Sequence, residues 1–148
     1  GIKSEKDWLE KALRSKVKLS RQHFIRMSFP DTYQNLVELG ITNDYSMGYP
    51  DQCGFRAGTS YPFKWYDLSR DSVQDLTVYP FQMMDVTLKQ YLTLHPDKAM
   101  ELCRTLVDEI KNHHGFCSVI WHNSSFFELE SWTGWDKLYH NILTYAKS

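Results

Sequence analysis

Five side chains stand where an extended pattern gives out, and between them they could do acid–base chemistry. Arg21 and His23 follow the first such pattern, Asp44 the second, Asp85 lies near the third, and His122 follows the fourth. In parallel α/β folds the reactive groups gather at the C-terminal ends of the strands, because those ends open onto the connecting loops. An Asp beside an imidazole raises the proton affinity of the ring and fixes its tautomer, which is what a general acid needs. An Arg orients a carboxylate or binds an oxyanion. A lone His at a strand end also serves as an ordinary hydrogen-bonded structural residue, so the spacing by itself leaves both roles open.

Other chemistries find less support. His113 and His114 close a helical pattern, where an imidazole interacts favourably with the helix C-terminus. His95 precedes Pro96 in a loop pattern, and His140 lies inside a helical one. None of the histidine spacings that build a local metal site occurs. The GxSxG elbow of serine hydrolases and the glycine-rich phosphate loops are absent as well. Cys53, Cys103 and Cys117 are an odd set without a CxxC spacing, which reads as free thiols in a reducing compartment.

The elements that must position these residues alternate between helix and strand. Ser4 and an acidic first turn predict a helix that carries Trp8, Leu9, Ala12 and Leu13 and ends near Ser15. Val17 to Phe24 alternates as a short strand. A second helix starts at Pro30-Asp31-Thr32, shows Tyr33, Leu36, Val37 and Leu39 on one face, and stops at Gly40. Ile41 to Tyr45 is a strand candidate. Both periodicities lapse over 46–70, which predicts a long functional loop. Asp75 to Pro80 is a strand, Thr87 to Leu92 a helical turn, and Pro96 to Gly115 the longest helix. Phe116 to Trp121 is the strongest strand pattern, and Trp135 to Ala146 closes the chain with an amphipathic helix. The pattern predicts an α/β fold of about four mainly parallel strands flanked by helices.

Composition narrows the partners. The chain has 148 residues, 42% hydrophobic and 24% charged, enough for the core of one domain spanning 1–148. With 17 Lys and Arg against 18 Asp and Glu, it offers no electrostatic reason to bind nucleic acid or an anionic membrane. No apolar run is long enough to span a bilayer, and the first residues lack a signal-peptide core, so a cytoplasmic location is favoured. Gly1 leading straight into a helical pattern reads as the start of an expressed fragment. The aromatic content, 15%, is high, and much of it lies in loop-like stretches such as Tyr61 to Tyr66. Such rings either pack beneath long loops or cover the apolar faces of sugar rings.

Several strings stand out together: Ser20-Arg21-Gln22-His23-Phe24, the stretch Leu36 to Gly48, Gly54-Phe55-Arg56-Ala57-Gly58-Thr59, Pro62 to Asp67, and Val119-Ile120-Trp121-His122-Asn123. In their order and spacing they resemble the NodB-like polysaccharide deacetylases, in a Bacteroidetes-type branch. Arg21 and Phe24 fit that family's "RxPY" motif with His23 in place of proline, and Ile120-Trp121-His122 fits its "LxH" motif. The resemblance covers roughly residues 17–145 and implies a deformed (β/α) barrel. Its implied chemistry is hydrolysis of an N-acetyl group on a carbohydrate polymer, with a divalent, zinc-type metal held by one Asp and two His and a second Asp as base. By carry-over Arg21 would orient the base, His122 would protonate the leaving amine, and Asp44 would tune His122. His23, Arg56, Trp65, Tyr66, Trp121 and Asn123 are the implied substrate contacts, with Arg56 either touching substrate or anchoring its loop.

The departure from the family is as informative as the match. The "TFDD" and "HxxxH" motifs belong before the arginine motif, and the residues before Arg21 form a single helical pattern without them. The chain then corresponds to the C-terminal half of such a barrel, with no metal in this chain, and is expected to be inactive alone. Its partner would be the missing half of the same protein, and its unpaired strand edges would favour a homodimer. The alternatives are a non-catalytic carbohydrate-binding module using Trp65, Tyr66, Trp121, Trp132 and Trp135, or a plain structural α/β domain.

Overall fold

A computed structural model describes residues 1–127 and 132–148. The described chain is a mixed α/β structure whose strands pair mainly in parallel, with helices around them, and no closed barrel forms among the described residues. Its contacts divide into two compact units, residues 1–46 with 62–79, and residues 47–61 with 80–148.

The first unit starts with helix α1 (Ile2–Leu13), ended by the left-handed Arg14. Gly1 is the residue before its first turn, so the helix starts earlier than the Ser4 pattern predicts, and Ser4 Oγ donates back to the Gly1 carbonyl at 2.7 Å. Strand β1 (Leu19–Ser20) is much shorter than the Val17–Phe24 pattern, because a tight turn over His23–Ile25 ends the extended run. Helix α2 (Asp31–Glu38) buries Tyr33 and Leu36. Strand β2 (Asn43–Asp44) follows, then β3 (Phe63–Asp67) and β4 (Ser72–Val78). The sheet order is β1-β2-β4-β3, with β1, β2 and β4 parallel and β3 antiparallel to β4.

β3 corrects the reading of 46–70 as one loop. Phe63 to Asp67 alternates partly buried, exposed, buried, exposed, buried, and Trp65 and Asp67 supply the inner face. A polar inner residue at Asp67 hides the period, since a buried carboxylate reads as a loop residue until its donors are known. Here those donors are the Ser69 amide and hydroxyl and the Gln34 amide. Its hairpin partner likewise begins at Ser72 and not at Asp75.

The second unit holds the two-stranded parallel sheet β5 (Met83–Met84) and β6 (Val119–Ile120). A π-type turn over Thr87–Tyr91 leads to helix α3 (Pro96–Asn112), and helix α4 (Trp135–Lys147) closes the chain. α3 buries Ala99, Cys103, Val107 and Ile110, and α4 buries Trp135, Leu138 and Ile142, in both cases at the spacing of one helical face. These residues join Met83 and Leu88 in one core. β5 is buried on both sides and so shows no alternation, which is why the sequence pattern does not reveal it.

Gly115 does not end α3 by going left-handed; His114 does, at φ 54°. Gly115 packs close to Ser60, whose hydroxyl would have to turn away from any Cβ placed there. No helix among the described residues is long and apolar enough to cross a membrane.

Candidate functional site

The most chemically suggestive grouping lies in the second unit, at the C-terminal ends of β5 and β6. Asp85 is the residue after β5 and His122 the second after β6, so parallel pairing of two short strands brings them together. His122 Nδ1 is 2.7 Å from Asp85 Oδ1. Asp85 has no exposed surface, whereas the His122 side chain is 41% exposed.

Four donors converge on the Asp85 carboxylate. Oδ1 accepts from His122 Nδ1 and from the Val86 amide at 2.7 Å. Oδ2 accepts from the His122 amide at 2.7 Å and from the Ser125 hydroxyl. An ionised carboxylate has about four lone-pair sites, and all are used here, so its burial is compensated. Because the carboxylate is acceptor-only, Nδ1 of the ring carries the proton. Nε2 is then left with its lone pair when the ring is neutral, and becomes an N–H donor when it is protonated. That is the arrangement of a positioned general acid or base.

Local sequence explains the geometry. The turn Asn123–Phe126 directly follows His122, with the Ser125 amide donating to the His122 carbonyl at 3.0 Å. It turns the buried Ser125 side chain back onto Asp85. Sequence reasoning places Asp85 near a strand end without assigning it a role, and misses Ser125 altogether. The spacing of two serines after the histidine carries no signal of its own.

The residues singled out from sequence divide between the two units. Arg21, His23, Asp44, Trp65 and Tyr66 lie in the first unit; Arg56, Trp121, His122 and Asn123 lie in the second. The carboxylate on the His122 ring is that of Asp85, not Asp44. Asp44 is fully buried and accepts from Tyr33 Oη at 3.2 Å, the Ser46 amide at 2.9 Å and the Ser46 hydroxyl at 2.8 Å. Burial pushes its carboxyl above the ordinary value, against the pull of these donors. Arg21 is exposed, and its guanidinium makes no hydrogen bond or ion pair among the described residues. The His23 ring lies against Phe24, tilted by 39° with centroids 4.2 Å apart, and Phe24 is 71% exposed. Phe24 and Ile25 are both left-handed, φ 56° and 53°, a conformation that costs a non-glycine residue about 1 kcal/mol or more.

Most of the implied sugar contacts are engaged elsewhere. Trp65 is buried against Tyr33, with ring centroids 5.5 Å apart. Trp121 packs between Trp135 and Tyr139 at the edge of the second core. Tyr66 donates to Asp71, which raises the proton affinity of the phenol. Arg56 donates to the Gly48 carbonyl at 2.9 Å and lies over the Tyr49 ring, so it anchors its own loop. Asn123 is exposed, and its side-chain oxygen accepts from the Ser124 amide at 2.9 Å. In the turn after His122, Phe126 and Phe127 are exposed, and the Phe126 ring packs edge-on against Tyr139 with centroids 5.1 Å apart.

Among the described residues no three His, Cys, Asp or Glu side chains are grouped as metal ligands. The one-Asp, two-His set that the resemblance implies is thus not assembled among the described residues. Burial pushes the Cys53 thiol up to about 11 and the Cys103 thiol up to about 12, which suits core residues and not nucleophiles. Compared with known proteins, the chain matches no protein-family model, no curated protein and no solved structure.

Proposed function

We propose that this chain carries the acid-histidine half of a polysaccharide-deacetylase-like hydrolase acting on N-acetylated sugar polymers. The observation that carries the reading is the Asp85–His122 pair at adjacent parallel strand ends, 2.7 Å apart, with the carboxylate buried and the imidazole half-exposed. In this reading protonated His122 donates from Nε2 to the departing amine nitrogen as the amide C–N bond breaks. Asp85 holds the ring by Nδ1 and stabilises the imidazolium. Arg21, exposed at the end of β1, would orient a catalytic base.

The reading assigns the water-activating metal and the base to residues outside this sequence, where the family's aspartate and histidine motifs belong. The metal enters no step that the present residues carry out. The partial (β/α) barrel belongs to the same proposal, and the parallel β1-β2-β4 and β5-β6 pairings are compatible with it. A carbohydrate-binding role without catalysis has less behind it, since Trp65 and Trp135 are buried in the two cores.

The test is acetate release from N-acetylated chito-oligosaccharide by protein extended through its upstream coding region. The expected result is metal-dependent release that falls about 100-fold or more in His122→Ala, the usual scale for a lost general acid. An upstream region without an aspartate and paired-histidine motif, or release unaffected by the substitution, would overturn the reading. Metal-dependent deacetylation by the 148-residue chain alone would also contradict it.

A further inference from the structure

A second buried aspartate lies in the first unit, and its hydrogen bonds run to the backbone of the arginine motif. Ser46 Oγ donates to Asp44 Oδ2 at 2.8 Å while accepting the Gln22 amide at 2.8 Å. The Ser46 amide donates to Asp44 Oδ1 at 2.9 Å, and so does Tyr33 Oη at 3.2 Å. The serine hydroxyl is thereby fixed in direction: its proton goes to the carboxylate and its lone pair faces Gln22. On the other side of the same residue, the Gln22 carbonyl accepts the Ile25 amide at 3.0 Å. Gln22 is thus the pivot between a buried network and an exposed turn.

That turn needs holding. Phe24 and Ile25 are consecutive non-glycine residues in the left-handed region, and Ile25 is β-branched, the side-chain type least suited to it. Conformations of this kind persist only where the surroundings over-determine them, and they collect at functional sites. Here the turn carries exposed Arg21, His23 and Phe24, and Arg26 lies over the Phe24 ring at 5.6 Å. The cost of the turn would be hard to explain if its residues only capped a strand of two residues.

We propose that Asp44 and Ser46 are positioning residues that clamp the Gln22 amide and so hold the left-handed Phe24–Ile25 turn in the form that presents Arg21 and His23. This assigns Asp44 a role distinct from tuning His122, and its connection to activity rests on the reading given under Proposed function. The clamp itself does not, because it can be measured without a substrate.

The experiment is amide hydrogen exchange, followed by NMR, on the 148-residue chain. Ser46→Ala is expected to speed exchange of the Gln22 and Ile25 amides about ten-fold, the equivalent of one lost hydrogen bond, with β2 and β4 amides unchanged. Ser46→Thr keeps the hydroxyl and is expected to restore protection. Ser46→Cys keeps the volume but replaces a strong acceptor with a weak one, and carries the same expectation if Ser46→Ala does not fold. Gln22 exchange within about two-fold of the parent in these variants overturns the clamp, since a lost hydrogen bond is worth more than that. Uniform acceleration through β2 and β4 also overturns it, because the pair would then be a general prop of the sheet. Acetate release is not part of this readout, so the deacetylase reading can fail while the clamp stands, or the reverse.

Discussion

Asp44 and Asp85 occupy equivalent places in two different units. Each ends or directly follows a two-residue parallel strand, each is fully buried, and each has a nearby serine donating to its carboxylate. What separates them is the remaining donors. Asp44 takes a phenol and an amide, and through Ser46 its network ends on a backbone amide. Asp85 takes an imidazole whose other edge is open. A buried aspartate at a strand end is therefore not a functional assignment in itself; the chemistry is decided by which donors the next turn delivers.

The largest expected effects come from emptying either carboxylate site. Asp85→Ala leaves the buried Ser125 hydroxyl, two part-buried amides and an imidazole without their acceptor, and should destabilise the chain by about 1–3 kcal/mol in urea unfolding. Asp44→Ala should cost a comparable amount, but only Asp85→Ala should move the His122 ring resonances in NMR. An equal shift of those resonances in Asp44→Ala would erase the distinction between the two sites.

A smaller effect separates the second unit's core from its surface. Cys117 is exposed, Cys53 is partly buried, and Cys103 is fully buried with its thiol pushed up to about 12. Alkylation by iodoacetamide at neutral pH, read by mass spectrometry, should label Cys117 first and Cys103 only on unfolding. Early labelling of Cys103 would mean that the α3–α4 core opens easily.

The smallest effect is in pH. Burial raises the Asp44 carboxyl, so the folded chain holds that proton more tightly than the unfolded one. Its contribution to stability is complete below the ordinary aspartate range and is lost as pH rises through the raised value. Thermal melts should therefore show the parent losing ground to Asp44→Asn as pH increases from the carboxylate range toward neutrality. A constant difference between the two would remove the argument from burial. Glu10 works in the opposite sense. Its bond from Lys6, helped by the Val17 amide, lowers it to about 2, so its contribution is present above its ordinary value and fades as pH falls toward 2.

The legible parts of the fold are the long periodic ones. Ala99, Cys103, Val107 and Ile110 mark α3, and Trp135, Leu138 and Ile142 mark α4, because one-sided burial leaves a helical period in the sequence. The short strands are legible only through their neighbours. β3 hides behind the buried Asp67, and β5 has no period because both its residues are buried. At the site, His122 stands out at the end of an apolar run, but its pairing with Asp85 depends on β5–β6 register, which no local pattern encodes. The Asp44 network is unreadable for the same reason: Ser46 and Gln22 are 24 residues apart and meet only through the pairing of β1 with β2.

The tautomer of His122 tests the central claim most directly. In long-range proton–nitrogen NMR spectra of the neutral ring, the chain should show Nδ1 protonated and Nε2 bare, and Asp85→Ala, which removes the acceptor on Nδ1, should shift the population toward the Nε2-protonated form. A bare Nδ1 in the parent chain, or a tautomer indifferent to Asp85→Ala, would contradict the assignment of this pair as a positioned acid–base unit.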